Sequence, residues 1–319
     1  MFRSPATSLG LLATAAAGVA LVARYLPIGN HPALVLAALA PYLMLGAPVA
    51  VLIFLVARRW IPAAVALTLT GALALTQAPL FVADREPEGD GVGFRVMSAN
   101  IFLGLVDPQP FVELAIARAD VLSVQELTPD AVRLFGAAGL DEAFPYRIID
   151  PRPGASGTGV WSRFPITESR SIPGQLNATT VARIRVPGAE GDQTVFSVHP
   201  PGPYPNPLDP WRRALADLPA ILQEAAAVPG SRCVVVAGDF NSTTDMVPFR
   251  RLLTGGYRDA AEQTGAGIVN TYPGNIEHVP PLVAIDHVLT HGCTATSLEV
   301  ITLPGSDHRG LVVDVHLRK

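Results

Sequence analysis

The sequence predicts an α/β protein in which two packed β-sheets are flanked by helices and preceded by three membrane-spanning helices. Three observations predict it. Charge is segregated: between Met1 and Ala83 the only charged residues are Arg3, Arg24, Arg58 and Arg59. All 27 acidic residues and the other 19 basic ones lie in Asp84–Lys319, which gives that stretch a net charge of −8. The N-terminal part holds three long apolar runs. The remainder alternates short β-rich runs with helical patterns across hairpin-length gaps, which suits two packed sheets better than one doubly wound parallel sheet. The averages of 49% hydrophobic and 16% charged blend these halves, since a soluble domain carries about a quarter charged residues. Composition also excludes a disordered chain, a disulfide-dense miniprotein and a strongly basic nucleic-acid binder.

The apolar runs are Ser8–Leu26, Ala33–Ala57 and Trp60–Val82, each of 19 or more residues. At ~1.5 Å per residue each is long enough for a hydrocarbon core of ~30 Å. Pro41 and Pro48 lie inside the second run, where neighbouring helices can satisfy the carbonyls a kink frees. The first run exceeds the ~7–15 apolar residues of a cleavable signal peptide and no polar cleavage region follows, so it reads as an anchor. Arg3, Arg58 and Arg59 fall on one side, against Arg24 and Arg85 beside an acidic stretch on the other. The positive-inside rule then places the N-terminus in the cytoplasm and everything after Val82 outside. No acidic residue interrupts a span, so nothing suggests a transport pathway. The expected organisation is an anchor at 1–83, a linker at 84–92 and an extracytoplasmic domain at 93–319, in a multi-pass protein of the cell membrane.

Within the domain the expected strands are Phe94–Ser98, Val121–Val124, Thr158–Trp161, Thr194–Val198, Val234–Ala237, Ile285–Leu289 and Gly310–Leu317. Helices are expected at Pro110–Ala119, Thr128–Ala138 and Asp209–Ala227, the second opened by Thr128 as cap with Pro129 and Asp130 behind it. Pro200–Pro210 reads as a rigid exposed loop. Cys233 stands six residues before Asp239 and Cys293 seven after Asp286. If both carboxylates sit at one sheet edge on antiparallel neighbours, both cysteines lie roughly 20 Å below that edge. There a disulfide is geometrically possible, and outside the cytoplasm it persists.

The informative polar residues stand where strands end: Asn100, Gln125-Glu126, His199, Gly238-Asp239-Phe240-Asn241, Asp286-His287 and Ser306-Asp307-His308. Singly, each could be a turn or cap residue. Together they make an inventory of carboxylates suited to a hard cation, two asparagines, and histidines able to carry protons. Gathered at one sheet edge, such oxygen ligands suit Mg²⁺ or Mn²⁺ held partly by substrate phosphate. The sequence has no zinc-spaced Cys/His cluster, Gly-rich phosphate loop or nucleophile-elbow serine. Hydrolysis by metal-activated or His-activated water remains.

The runs SAN (98–100), QE (125–126), GTGVWSRFPI (157–166), SVH (197–199), GDFN (238–241), IDHVL (285–289) and GSDH (305–308) resemble, in order, those of the endonuclease/exonuclease/phosphatase superfamily. The resemblance covers nearly all of Gly93–Lys319 and implies a four-layer α/β sandwich hydrolysing phosphodiesters or phosphomonoesters with Mg²⁺. It implies Glu126 as the main metal ligand, supported by Asn100, with Asp307 a further contact. His308 would be the general base, with Asp286 orienting it. Asp239 and Asn241 would position the water and meet the phosphoryl oxygens, and His199 would stabilise the phosphate or the leaving oxygen. Two positions depart from the abasic-site nucleases: Phe102 stands in place of an Asp, and Pro200-Pro201-Gly202-Pro203 follows His199 where they have an Asn. With the domain's negative charge, these departures speak against DNA repair.

The expected function is therefore a membrane-anchored, extracytoplasmic phosphoesterase, its substrate a lipid headgroup, a small phosphorylated molecule or nucleic acid. A nuclease and an inactive binding module on the same fold are the alternatives. The lipid bilayer is the expected partner of the three helices, and no protein partner is expected.

Overall fold

The computed structural model describes residues 5–84 and 91–318. Arg3 and most of the expected linker, 85–90, lie outside the described residues. The chain forms two compact units, one of residues 1–79 with 243–250 and one of residues 80–242 with 251–319.

In the first unit the apolar runs become helices. Two, Pro5–Tyr25 and Trp60–Phe81, are each long and apolar enough to cross a membrane. The second run bends, at the first of the two prolines noted in its sequence. His31–Ala38 and Ala40–Val56 meet at 64°, so it is either one broken span or a re-entrant pair. Pro41 accounts for the break: it has no N–H to give the carbonyl four residues back, and its ring disfavours helical backbone just before it. The helices pack through small residues, with Ala17, Ala20, Ala40, Ala47, Ala50 and Ala66 fully buried. At Gly46 a Cβ would stand 2.5 Å from the Ala13 carbonyl oxygen, an approach only glycine permits. Asp245, in the 243–250 segment of this unit, pairs with Arg24 and accepts from Gln77 Nε2 at 3.0 Å.

The second unit contains two six-stranded mixed sheets. Its strands are β1 (Gly91–Asn100), β2 (Val121–Gln125), β3 (Tyr146–Asp150), β4 (Thr158–Ser162), β5 (Ile166–Ser171), β6 (Thr180–Ile184), β7 (Asp192–Val198), β8 (Ser231–Asp239), β9 (Arg258–Asp259), β10 (Asp286–His291), β11 (Thr294–Thr302) and β12 (Arg309–Arg318). The sheet orders are β11-β12-β1-β2-β4-β3 and β5-β6-β7-β8-β10-β9. Each sheet has one parallel pair, β1 with β2 and β7 with β8. Val96, Val121, Val195, Val235 and Val313 fill the space between the sheets. Phe111, Phe135 and Trp161 fill the layer between the first sheet and the helices Pro108–Arg118 and Pro129–Ala137. Leu208–Ala226 buries Trp211, Leu215, Leu218 and Leu222 along one stripe, the spacing of an amphipathic helix. Thr128 caps its helix as expected, accepting from the Ala131 N–H.

The expected linker and anchor boundaries shift. Gly91 and Val92 already pair with β12. Leu80 belongs to the second unit, buried, with its carbonyl accepting from Gly267 N–H at 2.7 Å. β8 and β10 are antiparallel neighbours with Asp239 opposite Asp286, and below them Cys233 and Cys293 form a disulfide with Cα atoms 5.2 Å apart.

Candidate active site

The strand ends of both sheets bring the predicted residues together. Asn100 ends β1 beside Gln125 at the end of β2, and Asp239 ends β8 opposite Asp286 at the start of β10. Beneath them the sheets are joined by buried polar side chains. Gln125 Nε2 donates to Ser123 and Ser197, Ser123 Oγ to the Ala237 carbonyl and Ser197 Oγ to that of Val124. A satisfied buried network of this kind sets the two sheets in register, because any slip would orphan several groups at once. Gly238 is required by close approach within its own sheet, since a Cβ there would stand 2.0 Å from the carbonyl oxygen of its β7 partner Val198.

Asp239 is the hub. Its Oδ1 accepts from the Asn241 N–H at 2.7 Å and its Oδ2 from Asn100 Nδ2 at 3.0 Å. His199 Nε2 and His308 Nε2 stand 3.5 and 3.6 Å from that same oxygen. His199 is aimed by its other nitrogen, which meets the Ala155 carbonyl at 2.9 Å. His308 Nδ1 meets Asp286 Oδ2 at 2.8 Å, an imidazole–carboxylate dyad. Burial works against the charged form of His308, but Asp286 and Asp239 overcome it, and its pKa rises to about 10. Burial likewise works against ionised Asp239, yet His308 and His199 hold its pKa down to about 2. Burial pushes Asp286 up.

Glu126 lies just past β2 with φ +61°, a left-handed conformation uncommon for glutamate and typical of strained functional positions. Asn100 Nδ2 reaches its Oε1 at 3.3 Å and the Leu103 N–H its Oε2 at 2.6 Å. Asn100 gives its own oxygen to the Phe102 N–H, so in this arrangement it steers Glu126 and Asp239. Asn241, also left-handed at φ +49°, donates to the Pro200 carbonyl. Asp307 is half-buried, its carboxyl raised by burial and, despite His308, by Glu126 and Asp239. All eight predicted residues thus share one strand-end cluster. Asp239, Asp286 and His308 place ligand atoms within 4.8 Å of one another and could together hold a metal ion; Glu126 and Asp307, the ligands expected from sequence, are not part of that group.

Three supporting groups carried no role in the sequence reading. Ser306 donates to the Asn100 carbonyl and accepts from the His308 N–H, tying the SDH turn to β1. Gln125 locks the sheets. His287 places Nδ1 2.7 Å from Asp259 and Nε2 2.9 Å from the Ser242 carbonyl, so both nitrogens face acceptors and the ring serves as a buried cation beside the GDFN turn. Asp259 raises its pKa against burial. Ser306 and Gln125 were visible within motifs; nothing in the sequence joined Asp259 to His287.

The fold is shared with solved structures of low identity. TDP2 of D. rerio complexed with single-strand DNA product superposes with TM-score 0.56 at 18% identity, covering 70% of this chain and 99% of that one. A mannosyl-6-phosphatase of Bacteroides thetaiotaomicron gives TM-score 0.55 at 13% identity, covering 70% and 99%. An endonuclease/exonuclease/phosphatase family protein of the same organism gives 0.55 at 14%, covering 72% and 100%. No curated protein matches the chain at a significant level. A sequence model of the Endonuclease/Exonuclease/phosphatase family matches residues 97–308, from within β1 to His308, and the chain belongs to that family.

Proposed function

We propose that this chain is a membrane-anchored phosphoesterase with its catalytic unit outside the cytoplasm, hydrolysing phosphodiester or phosphomonoester bonds with Mg²⁺ or Mn²⁺. The observation that carries the reading is the Asp286–His308 dyad set beside Asp239 and His199 within one buried cluster. Glu126 and Asp307 would hold the cation, with Asn100 in support. A divalent ion bound there would supply positive charge against the phosphoryl oxygens and balance the carboxylates that otherwise face His308. His308 Nε2 takes the proton of the attacking water, and Asp286 fixes the ring and stabilises its imidazolium form. Asp239, aligned by Asn100 and the Asn241 N–H, orients that water. His199 Nε2 meets the charge that develops on the phosphoryl or leaving oxygen. Neighbours of the same fold named for a phosphatase and for a DNA product are compatible with this ester chemistry. The test uses the full chain in detergent with a water-soluble phosphodiester and a phosphomonoester. Turnover with Mg²⁺ or Mn²⁺ that stops in excess EDTA supports the reading, and undiminished turnover in EDTA overturns the metal assignment.

A further inference from the structure

Large exposed apolar side chains of the catalytic unit are unevenly distributed. Apart from Phe81-Val82 at the end of the third apolar run, only Ile116, Tyr146 and Ile268 among the described residues lie outside the loops that hold the site. The others occupy four loops, 101–107, 172–178, 200–207 and 271–285. Leu105, Leu176 and Tyr204 are 62%, 66% and 67% exposed.

Each loop is bonded to the site or to a turn that supports it. Leu103 donates its N–H to Glu126. Leu176 gives its carbonyl to Arg152, three residues before the Ala155 carbonyl that aims His199. The Pro200 carbonyl takes the Asn241 amide. The Tyr272 ring lies 4.9 Å from the His308 imidazole, and Gly274 N–H donates to the Asp307 carbonyl. These four loops contain no Lys or Arg. Arg152, on the adjoining turn, is engaged by Asp150 through two bonds.

A polyanionic strand draws its affinity from cations set along the backbone, and a multiply phosphorylated headgroup needs several as well. This rim offers neither. It offers instead apolar area clustered around one anion-handling centre, which is the pattern of a binding surface for an amphiphile. Resting on the phosphoesterase reading above, we propose that the substrate is a membrane-lipid phosphoester: one phosphate ester engaged by the His199–Asp239–His308 cluster, with hydrocarbon lying against Leu105, Leu176, Tyr204 and Tyr272. Two of the chain's helices are long and apolar enough to cross a membrane, which would hold the enzyme at a lipid surface. In the reaction the water oxygen bonds to phosphorus and its proton passes to His308. The ester P–O bond breaks with its electron pair on the leaving oxygen, which takes up a proton, so one water is consumed per ester cleaved.

The experiment compares long-chain phosphatidate and phosphatidylglycerol in mixed micelles with glycerol 3-phosphate, bis(4-nitrophenyl) phosphate and a single-stranded oligonucleotide, all with the full chain and Mg²⁺. The expected result is kcat/KM on one of the lipids at least tenfold above that on the head compound or the oligonucleotide. The double variant Leu176→Asp/Tyr204→Ser should lower the ratio of lipid to soluble-ester turnover at least fivefold, mainly through KM. A soluble ester or the oligonucleotide turned over as well as any lipid overturns the lipid assignment and leaves the phosphoesterase reading standing. No turnover of any probe overturns both.

Discussion

At the residue scale, the site depends on groups that have no substitute. His308 is buried and its two nitrogens are committed to Asp286 and to the space beside Asp239. His308→Ala and Glu126→Gln should each lower kcat by about 10²–10⁴-fold while circular dichroism stays native, and near-wild-type turnover by His308→Ala would refute its role as base. His287 is a different case. Its Nδ1 pairs with Asp259, which is 1% exposed. Removing one partner of a buried pair strands the other, at about 3 kcal/mol or more, whereas removing both is far milder. His287→Leu should therefore lower the denaturation midpoint sharply and His287→Leu/Asp259→Leu should recover part of the loss. Equal midpoints for His287→Leu and wild type would show that the pair contributes nothing.

At the scale of elements, the pairing of β8 with β10 serves both ends of the strands. At one end it sets Asp239 opposite Asp286; at the other it brings Cys233 to Cys293, closing a loop with a sequence separation of 60. Constraining a loop of that length stabilises by about 4 kcal/mol in the chain-entropy account. Protein extracted from membranes without reductant should resist alkylation at both cysteines. Cys233→Ser should lower Tm by several degrees; two alkylated thiols in the unreduced protein would rule the bridge out. The expected central strands formed where apolar runs were continuous, as in Val234–Ala237, because a strand buried on both faces needs no alternation. Strands β3, β5, β6, β9 and β11 were not foreseen. Ile166–Ser171 exposes nearly every side chain and Arg258-Asp259 is two residues long, so their place in a sheet comes from neighbours rather than from their own pattern.

At the scale of the whole molecule, the extracytoplasmic placement proposed above rests on arginine distribution: Arg3, Arg58 and Arg59 on one side against Arg24 and Arg85 on the other. Arg24 is paired with Asp245 inside its unit. Alkaline phosphatase fused after Lys319 should be active and a green fluorescent protein at the same place dark. The reverse pattern would place the catalytic unit in the cytoplasm. The sequence alone was enough for the charge segregation, the apolar runs and the family motifs at the strand ends, because hydropathy and strand-end motifs are local properties of the chain. What only tertiary structure decided was long-range: the 64° break in the second run, the Gln125 network between sheets, the pairing of Asp259 with His287, and the apolar rim. Each of these depends on which surfaces meet after folding, and a side chain's exposure or partner is set by the segments packed against it.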